Sequence, residues 1–397
     1  MSEPRTICVA TTSRADYGIL RSLLEEITAD PALTLQLLAT GSHLVPEQGS
    51  TYQEIEADGY EISAKTEILL ASDTAVAAAK SIGVGAISHA DALVGLEPDI
   101  LVVLGDRFEL LSLVIPALLL GIPVAHIHGG EVSEGAIDDS VRHAITKMAS
   151  LHFTSAEAHR ARVIQMGEAP ERVFAFGAPG LDALHRAELL SRDELERGIE
   201  FSLEEPVALV TYHPVTRERD EAGTQIQELL AAIGESGVRA LFTRANVDEG
   251  GHVINARVRA FCERDPEHYH LVDSLGSMRY LSLLKHVTLM IGNSSSGIIE
   301  APSFRLPVVN VGSRQAGRLR GANVIDVEAE RSAVLKGIAR ARDPELQKRL
   351  AGSENPYDRF GDGRTGQRMK DALRDVELSQ ALLTKRFRDI EGVNCNE

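Results

Sequence analysis

The 397-residue chain reads as an α/β protein of two domains, each built on a parallel sheet. Three observations predict this. The length exceeds what one hydrophobic core usually supports, so two domains of about 150 to 200 residues are expected. Short runs rich in Val, Ile and Leu alternate with longer helical patterns, the rhythm of βαβ units. These runs end in Gly, Asp, His or Ser, which sets polar groups beyond the carboxyl ends of the strands, where open parallel sheets bind ligands.

In the first half, strands are expected at 6–12 (TICVATT), 33–40, 100–105, 123–129 and 151–155, with RADYGILRSLLEEI from Arg14 as the first helix. The second half repeats the pattern at 206–212, 238–243, 287–293 and 307–312, which implies a second Rossmann-like sheet. The charged, helical run 185–206 puts a hinge near Pro179 to Asp193. The expected division is 1–183, 184–370 and a helical tail 371–397. The sequence allows this tail either to pack over the first domain or to end the second.

Composition excludes several classes. Aromatic residues are only 4% and Trp is absent, and a net charge of -17 repels polyanions, so no nucleic-acid partner is expected. A phosphate-bearing ligand would have to be met by local arginines or helix N-termini. Cys8, Cys262 and Cys395 are too dispersed for a zinc site or a disulfide framework, which fits a reducing cytoplasm. No stretch has 18 uninterrupted apolar residues, so no membrane partner is expected.

The loop SRADYG (13–18) lets Ser13 cap a helix and sets Arg14 where the helix N-terminus favours an anion; a plain cap with a solvated arginine is the alternative. It lacks the glycine spacing of a dinucleotide fingerprint, and no GK[ST] run occurs, so nicotinamide and ATP chemistry lose support. GDRFE (105–109) and HIHGGE (126–131) collect Asp106, Arg107, His126, His128 and Glu131 at one sheet edge. In 134–147, Asp138 with Arg142 and Asp139 with His143 stand four residues apart on a helix. Dipole-complementing acids, surface ion pairs and a satisfied core histidine at His126 are the structural alternatives. No HExxH-like spacing occurs, and no metal is expected. In the second half His213 follows a strand, and Asn246 and Asp248 lie in a Gly-terminated loop that turn chemistry alone would explain. The run GNSSSGIIE (292–300) is the strongest signal: a strand, a small polar loop and a helix whose first amides could bind phosphate with the Ser294 and Ser295 hydroxyls. Glu300 could accept ribose hydroxyls, against the alternative of an exposed acid on a serine-capped helix. Arg314, Arg318 and Arg320 form a local basic run in an acidic chain.

The order SRADYG, TGSH (40–43), LGDRFE, HIHGGE, DDSVRHAITK, HP, GNSSSG, Glu300 and GSRQAGR resembles the hydrolysing nucleotide-sugar 2-epimerases, relatives of the non-hydrolysing UDP-N-acetylglucosamine 2-epimerases. The resemblance implies a GT-B-like fold, two Rossmann-like doubly wound domains facing a central cleft, with the sugar on the first and the nucleotide on the second. It implies conversion of UDP-N-acetylglucosamine to N-acetylmannosamine and UDP for sialic acid synthesis, or of a UDP- or GDP-linked diacetamido sugar for legionaminic acid. It carries Asp106, Glu131, Asp138, His128, Arg142 and His213 over as catalytic or near it. Arg14 and His213 would meet the diphosphate, Asn246 would lie close by, and Ser294, Ser295, Ser296 and Gly297 would form the phosphate loop. Glu300 would hold the ribose and Arg314 the leaving nucleotide, with His43, Arg107, His126 and Asp248 also binding substrate. A homodimer or homotetramer without cofactor is implied. His128 stands where other branches have an acid, which leaves the C2 base open.

Overall fold

The computed structural model describes residues 3–72, 74–133, 137–215, 221–245, 251–272 and 275–389. The first sheet contains β1 (Arg5–Thr11), β2 (Leu33–Thr40), β3 (Ala64–Thr66), β4 (Ile100–Leu104), β5 (Val124–Ile127), β6 (Leu151–Thr154) and β7 (Val173–Ala175). The second contains β8 (Val207–Thr211), β9 (Arg239–Thr243), β10 (Tyr269–Val272), β11 (Leu289–Gly292), β12 (Val308–Val311) and β13 (Val324–Val327). Their orders are β3-β2-β1-β4-β5-β6-β7 and β10-β9-β8-β11-β12-β13. Every strand pair is parallel. Each order reverses once, between β1 and β4 and between β8 and β11, and a crevice opens at such a switch point, where ligands bind.

Helices cover both faces, so the central strands are apolar on both sides. Along β4, Ile100, Val102 and Leu104 enter one core with Val9, Leu23 and Phe153. Leu101 and Val103 enter the opposite one with Leu38 and Leu113. The second sheet is buried likewise, with Val210 and Ile291 on one face and Leu209 and Met290 on the other.

All nine strands expected from sequence are present, with ends shifted by at most two residues. Four others escaped notice. β3 and β7 are three residues long, and β10 and β13 are outer strands whose mixed exposure breaks the apolar run, as Asp326 does in β13.

The chain forms two compact units, Met1–Arg186 with Tyr357–Glu397, and Ala187–Pro356. Residues 184–186 and 357–370, expected in the second domain, thus belong to the first unit. The reason is a helix cap. The buried Asp182 carboxylate accepts the backbone N–H groups of Thr365 (2.9 Å) and Gly366 (2.7 Å), which start the helix Thr365–Asp375. That helix packs on Arg14–Ala29, burying Met369 and Leu373. Gly366 is required there, because a Cβ would stand 2.8 Å from the Ser22 backbone. Beyond it, Leu382 enters the same core, so the tail packs on the first unit. Among the described residues no helix is long and apolar enough to cross a membrane.

Asp182→Ala strands two helix-terminal N–H groups, and we expect it to destabilise the protein by about 1 to 3 kcal/mol. A calorimetric melt reads this directly, and an unchanged melting temperature contradicts the cap.

Candidate functional site

In the first unit the polar residues gather beyond the ends of β4 and β5. Gly105, at φ +83°, turns the chain out of β4 and presents Asp106. After β5, His128 (φ +66°) and Gly130 (φ +78°) make a second tight turn. A Cβ at Gly130 would lie 2.5 Å from the His159 carbonyl, so only glycine fits, and His128 holds strained backbone at the sheet edge. His128 Nδ1 lies 2.7 Å from Glu131 Oε1, which also accepts the Ser155 hydroxyl at 2.5 Å.

The helix Ile137–Met148 supplies the hub. Arg142 has a side chain only 3% exposed and pairs with Asp106. Its Nη1 donates to the Glu131 carbonyl and to Asp139 Oδ1, both at 2.9 Å, and its Nη2 to the Ser133 hydroxyl at 2.9 Å. Asp139 also accepts the Ser133 amide at 2.8 Å. The sequence pairing of Asp139 with His143 is thereby corrected: the guanidinium reaches back one turn and takes the acid. Asp138 begins the same helix, and its charge acts on Arg107, which pairs with the buried Glu109.

Two of the expected ligand-binding residues have both ring nitrogens engaged by the protein. His126 is fully buried, with Nε2 2.8 Å from the Gly105 carbonyl and Nδ1 3.1 Å from Thr146 Oγ1. Because the carbonyl can only accept, Nε2 carries the proton and Nδ1 accepts from the threonine. Burial depresses this imidazole to about 3. His43 is also fully buried, between Thr11 Oγ1 (2.9 Å) and Thr51 Oγ1 (2.8 Å). Arg14 is 65% exposed and pairs with Glu54 at 3.1 Å, while Ser13 caps its helix.

In the second unit the switch point is closed by a reciprocal pair: the His213 amide donates to Asn293 Oδ1 at 2.7 Å, and Asn293 Nδ2 donates to the His213 carbonyl at 2.8 Å. Gly292 makes this approach possible, since a Cβ would collide with the Thr211 carbonyl. Arg314 and Gln315 donate to the Asn293 carbonyl at 3.0 and 2.9 Å. Burial, aided by the Arg314 charge, lowers the His213 imidazole to about 4. Ser294 and Ser295 precede the helix Ser296–Ile299, which is four residues long and leaves Glu300, expected inside the helix, at its C-cap. Gly297 packs tightly on Val308. Glu300 is held above the usual carboxylate range by burial, and its Oε2 is shut from water without a hydrogen-bond partner. Asn246 and Asp248 lie outside the described residues.

Sequence reasoning passed over Asn293, although it stands inside GNSSSG, and Ser133 and Ser155, whose roles appear only in three dimensions. It also missed Lys385. The ammonium of Lys385 caps the end of the hub helix, 2.6 Å from the Ala149 carbonyl and 2.8 Å from that of Lys147, and pairs with Glu168 at 2.7 Å. More than 230 residues separate Lys385 from the two carbonyls it caps, and no local pattern marks the contact. Among the described residues no group of three or more His, Cys, Asp or Glu side chains is placed to hold a metal ion.

Two parallel sheets that each reverse their strand order once, one edged by acids around an arginine and the other by a serine turn, define a doubly wound α/β protein of two units. Residues 25–374 match the family described as UDP-N-acetylglucosamine 2-epimerase, and the chain belongs to that family. It is 43% identical, over 82% of its length and 84% of the relative's, to the GDP/UDP-N,N'-diacetylbacillosamine 2-epimerase (hydrolyzing) of Campylobacter jejuni. It is 37% identical, over 96% and 98%, to the UDP-N,N'-diacetylbacillosamine 2-epimerase (hydrolyzing) of Legionella pneumophila. The fold is shared with the UDP-GlcNAc 2-epimerase of Neisseria meningitidis bound to UDP-GlcNAc, at TM-score 0.78 and 15% identity over 93% of this chain and 99% of that one.

The buried, neutral His126 gives a pH signature. Its folded-state value lies below that of the unfolded chain, so falling pH lets the unfolded chain take up a proton that the folded protein refuses. Stability is lost as pH drops below the ordinary histidine value of about 6.5. We expect the stability advantage of wild type over His126→Gln, measured by urea unfolding, to shrink by about 2 kcal/mol between pH 7 and pH 5. A constant advantage contradicts the assignment.

Proposed function

We propose that this hydrolysing nucleotide-sugar 2-epimerase acts on a UDP- or GDP-linked 2,4-diacetamido sugar of the diacetylbacillosamine type, releasing the free 2-epimer and the nucleoside diphosphate. The observation that carries the chemistry is the gathering of Asp106 and Asp139 around one buried guanidinium, with the Glu131 carboxylate beside His128 and Asp138 on the same helix as Arg142. The choice of sugar rests on the two relatives that share 43% and 37% of their residues with it. UDP-N-acetylglucosamine, the sequence-based expectation, is the second reading, favoured by the family's description and by the ligand of the Neisseria meningitidis structure.

A sugar C2 proton is not acidic, because no carbonyl flanks it. The bond from C1 to the diphosphate oxygen must loosen first. In our assignment the Ser294–Ser295–Ser296 loop and Arg314 stabilise the departing diphosphate, each such contact contributing about 3 kcal/mol in a dry site. Neutral His213 adds a donor, and Glu300 accepts the ribose hydroxyls that its stranded Oε2 lacks. Asp106 steadies positive charge at C1 and takes the C2 proton, while the electron pair of the C2–H bond forms the C1–C2 double bond as the diphosphate leaves. Water then adds its hydroxyl at C1, and a proton arrives at C2 from the opposite face, supplied by Asp138, Glu131 or His128. One water is consumed per turnover. The proton leaves and returns without net redox change, so the scheme calls for no cofactor. His126 and His43 act by holding Gly105 and the β2 turn, and we place the enzyme in the cytoplasm on its dispersed cysteines.

Incubation with a panel of UDP- and GDP-linked 2-acetamido and 2,4-diacetamido sugars, followed by NMR, should give the free manno-configured product and stoichiometric nucleoside diphosphate, fastest with a diacetamido sugar. A manno-configured nucleotide sugar with no nucleotide released contradicts hydrolysis, and release only when an acceptor is added indicates glycosyl transfer instead. Asp106→Asn and Asp138→Asn should each lower turnover by more than about tenfold with the fold intact. Wild-type rates in both would overturn their assignment.

A further inference from the structure

Beyond the short helix Gln380–Leu383 the chain runs as a strap over the C-terminal end of the hub helix Ile137–Met148. Three contacts anchor the strap. Leu382 is buried in the core, and its carbonyl accepts Arg172 Nη1 at 3.1 Å. The Arg388 amide donates to the Gly167 carbonyl at 3.2 Å. Phe387 lies so close on Gly167 that a Cβ there would strike the ring. Between these anchors the Lys385 ammonium meets the carbonyls of Lys147 and Ala149 and the Glu168 carboxylate, and it lies 3.4 Å from the Thr146 carbonyl. Glu168 also accepts His152 Nε2 at 3.0 Å and the Lys147 ammonium at 2.6 Å. Burial works against the charge of this carboxylate, but its three donors hold it down at about 2, so it remains an anion for Lys385 to pair with. Lys147, the helix's own basic residue in its last turn, is turned away to the Met166 carbonyl and Glu168.

We propose that Lys385 is a positioning residue for the epimerase reaction, setting where the hub helix stands along its axis. Asp138, Arg142 and Thr146 follow one another four residues apart on that helix, so they share a face and move together. Val141 and Ile145 hold the helix to the core, but apolar attraction is non-directional. Directed polar contacts sit towards its two ends. Arg142 ties the helix to the loops after β4 and β5, and Lys385 ties its last carbonyls to Glu168, where the helix dipole favours a cation. A shift of the last turn also reaches Asp106 by a second route, because Thr146 Oγ1 meets His126 Nδ1 and His126 Nε2 holds the Gly105 carbonyl. Misplacing a reacting group by about 1 Å can cost on the order of a hundredfold in rate. The assignment rests on the reading of Asp106 and Asp138 as proton-exchanging groups, and Lys385 acts on them through the helix.

The test uses full-length Lys385→Met, and Lys385→Cys before and after alkylation with 2-bromoethylamine. Alkylation forms a sulfur–carbon bond with loss of bromide and rebuilds an ammonium at nearly the lysine length. Wild type passes through the same treatment as the control for Cys8, Cys262 and Cys395. With the nucleotide sugar that wild type turns over fastest, Lys385→Met should lower kcat by about tenfold or more and leave KM within about twofold. The isotope effect on kcat for substrate deuterated at C2 should grow, since proton transfer is the step that misplacement slows. A lysine needed only for folding would reduce the amount of active enzyme and leave that ratio unchanged. Aminoethylation of Lys385→Cys should restore both rate and ratio. Amide hydrogen exchange along Ile137–Met148 needs no substrate: it should quicken in Lys385→Met and return to the wild-type rate in the aminoethylated protein. Wild-type kcat in Lys385→Met, a lowered kcat with an unchanged isotope effect, or unchanged exchange overturns the proposal. A wild type that turns over no sugar of the panel overturns the proposed function instead, and the exchange rates then decide whether Lys385 sets the helix.

Discussion

The first unit depends on where the Arg142 guanidinium is held. It is almost sealed from water, and such a charge is tolerated only when its donors are met. They are met by Asp106 from the end of β4, the Glu131 carbonyl and Ser133 from the loop after β5, and Asp139 from its own helix. Arginine suits this position because its planar fork can donate in several fixed directions at once, which a lysine cannot do. Removing any one acceptor leaves part of the charge stranded, so two loops and a helix are locked into one arrangement. Lys385 fixes the far end of that helix by capping its last carbonyls. Thr146, in its last turn, reaches through His126 to Gly105, next to Asp106.

The two units solve related problems with different chemistry. Both put their polar residues at the switch point of a sheet with the same strand order. The first uses full charges, balanced among themselves so that carboxylates can crowd together in a chain of net charge -17. The second uses small hydroxyls, backbone amides and a neutral imidazole, with Arg314 as the cation at the Asn293 turn.

Much of this was legible in the chain because strands buried on both faces leave continuous apolar runs. That is why β4 and β8 stood out, while β3 and β13, short or interrupted by Asp326, did not. The motif positions were found because they follow strands. Their roles were harder to see, since a histidine after a strand is equally suited to meet a ligand or to tie down a turn. His126 and His43 each have protein partners on both ring nitrogens, which no sequence pattern reveals. Contacts distant in sequence, such as Lys385 on the hub helix and Asp182 on the returning segment, leave no trace in local periodicity.

The central claim is that the acids around Arg142 exchange the C2 proton while the nucleotide departs. Turnover in deuterated water, followed by NMR of the free sugar, tests it most directly. The account predicts one deuteron at C2 of every product molecule and one nucleoside diphosphate released for each. Nucleotide release with protium retained at C2 would mean simple hydrolysis without epimerisation, and would contradict it.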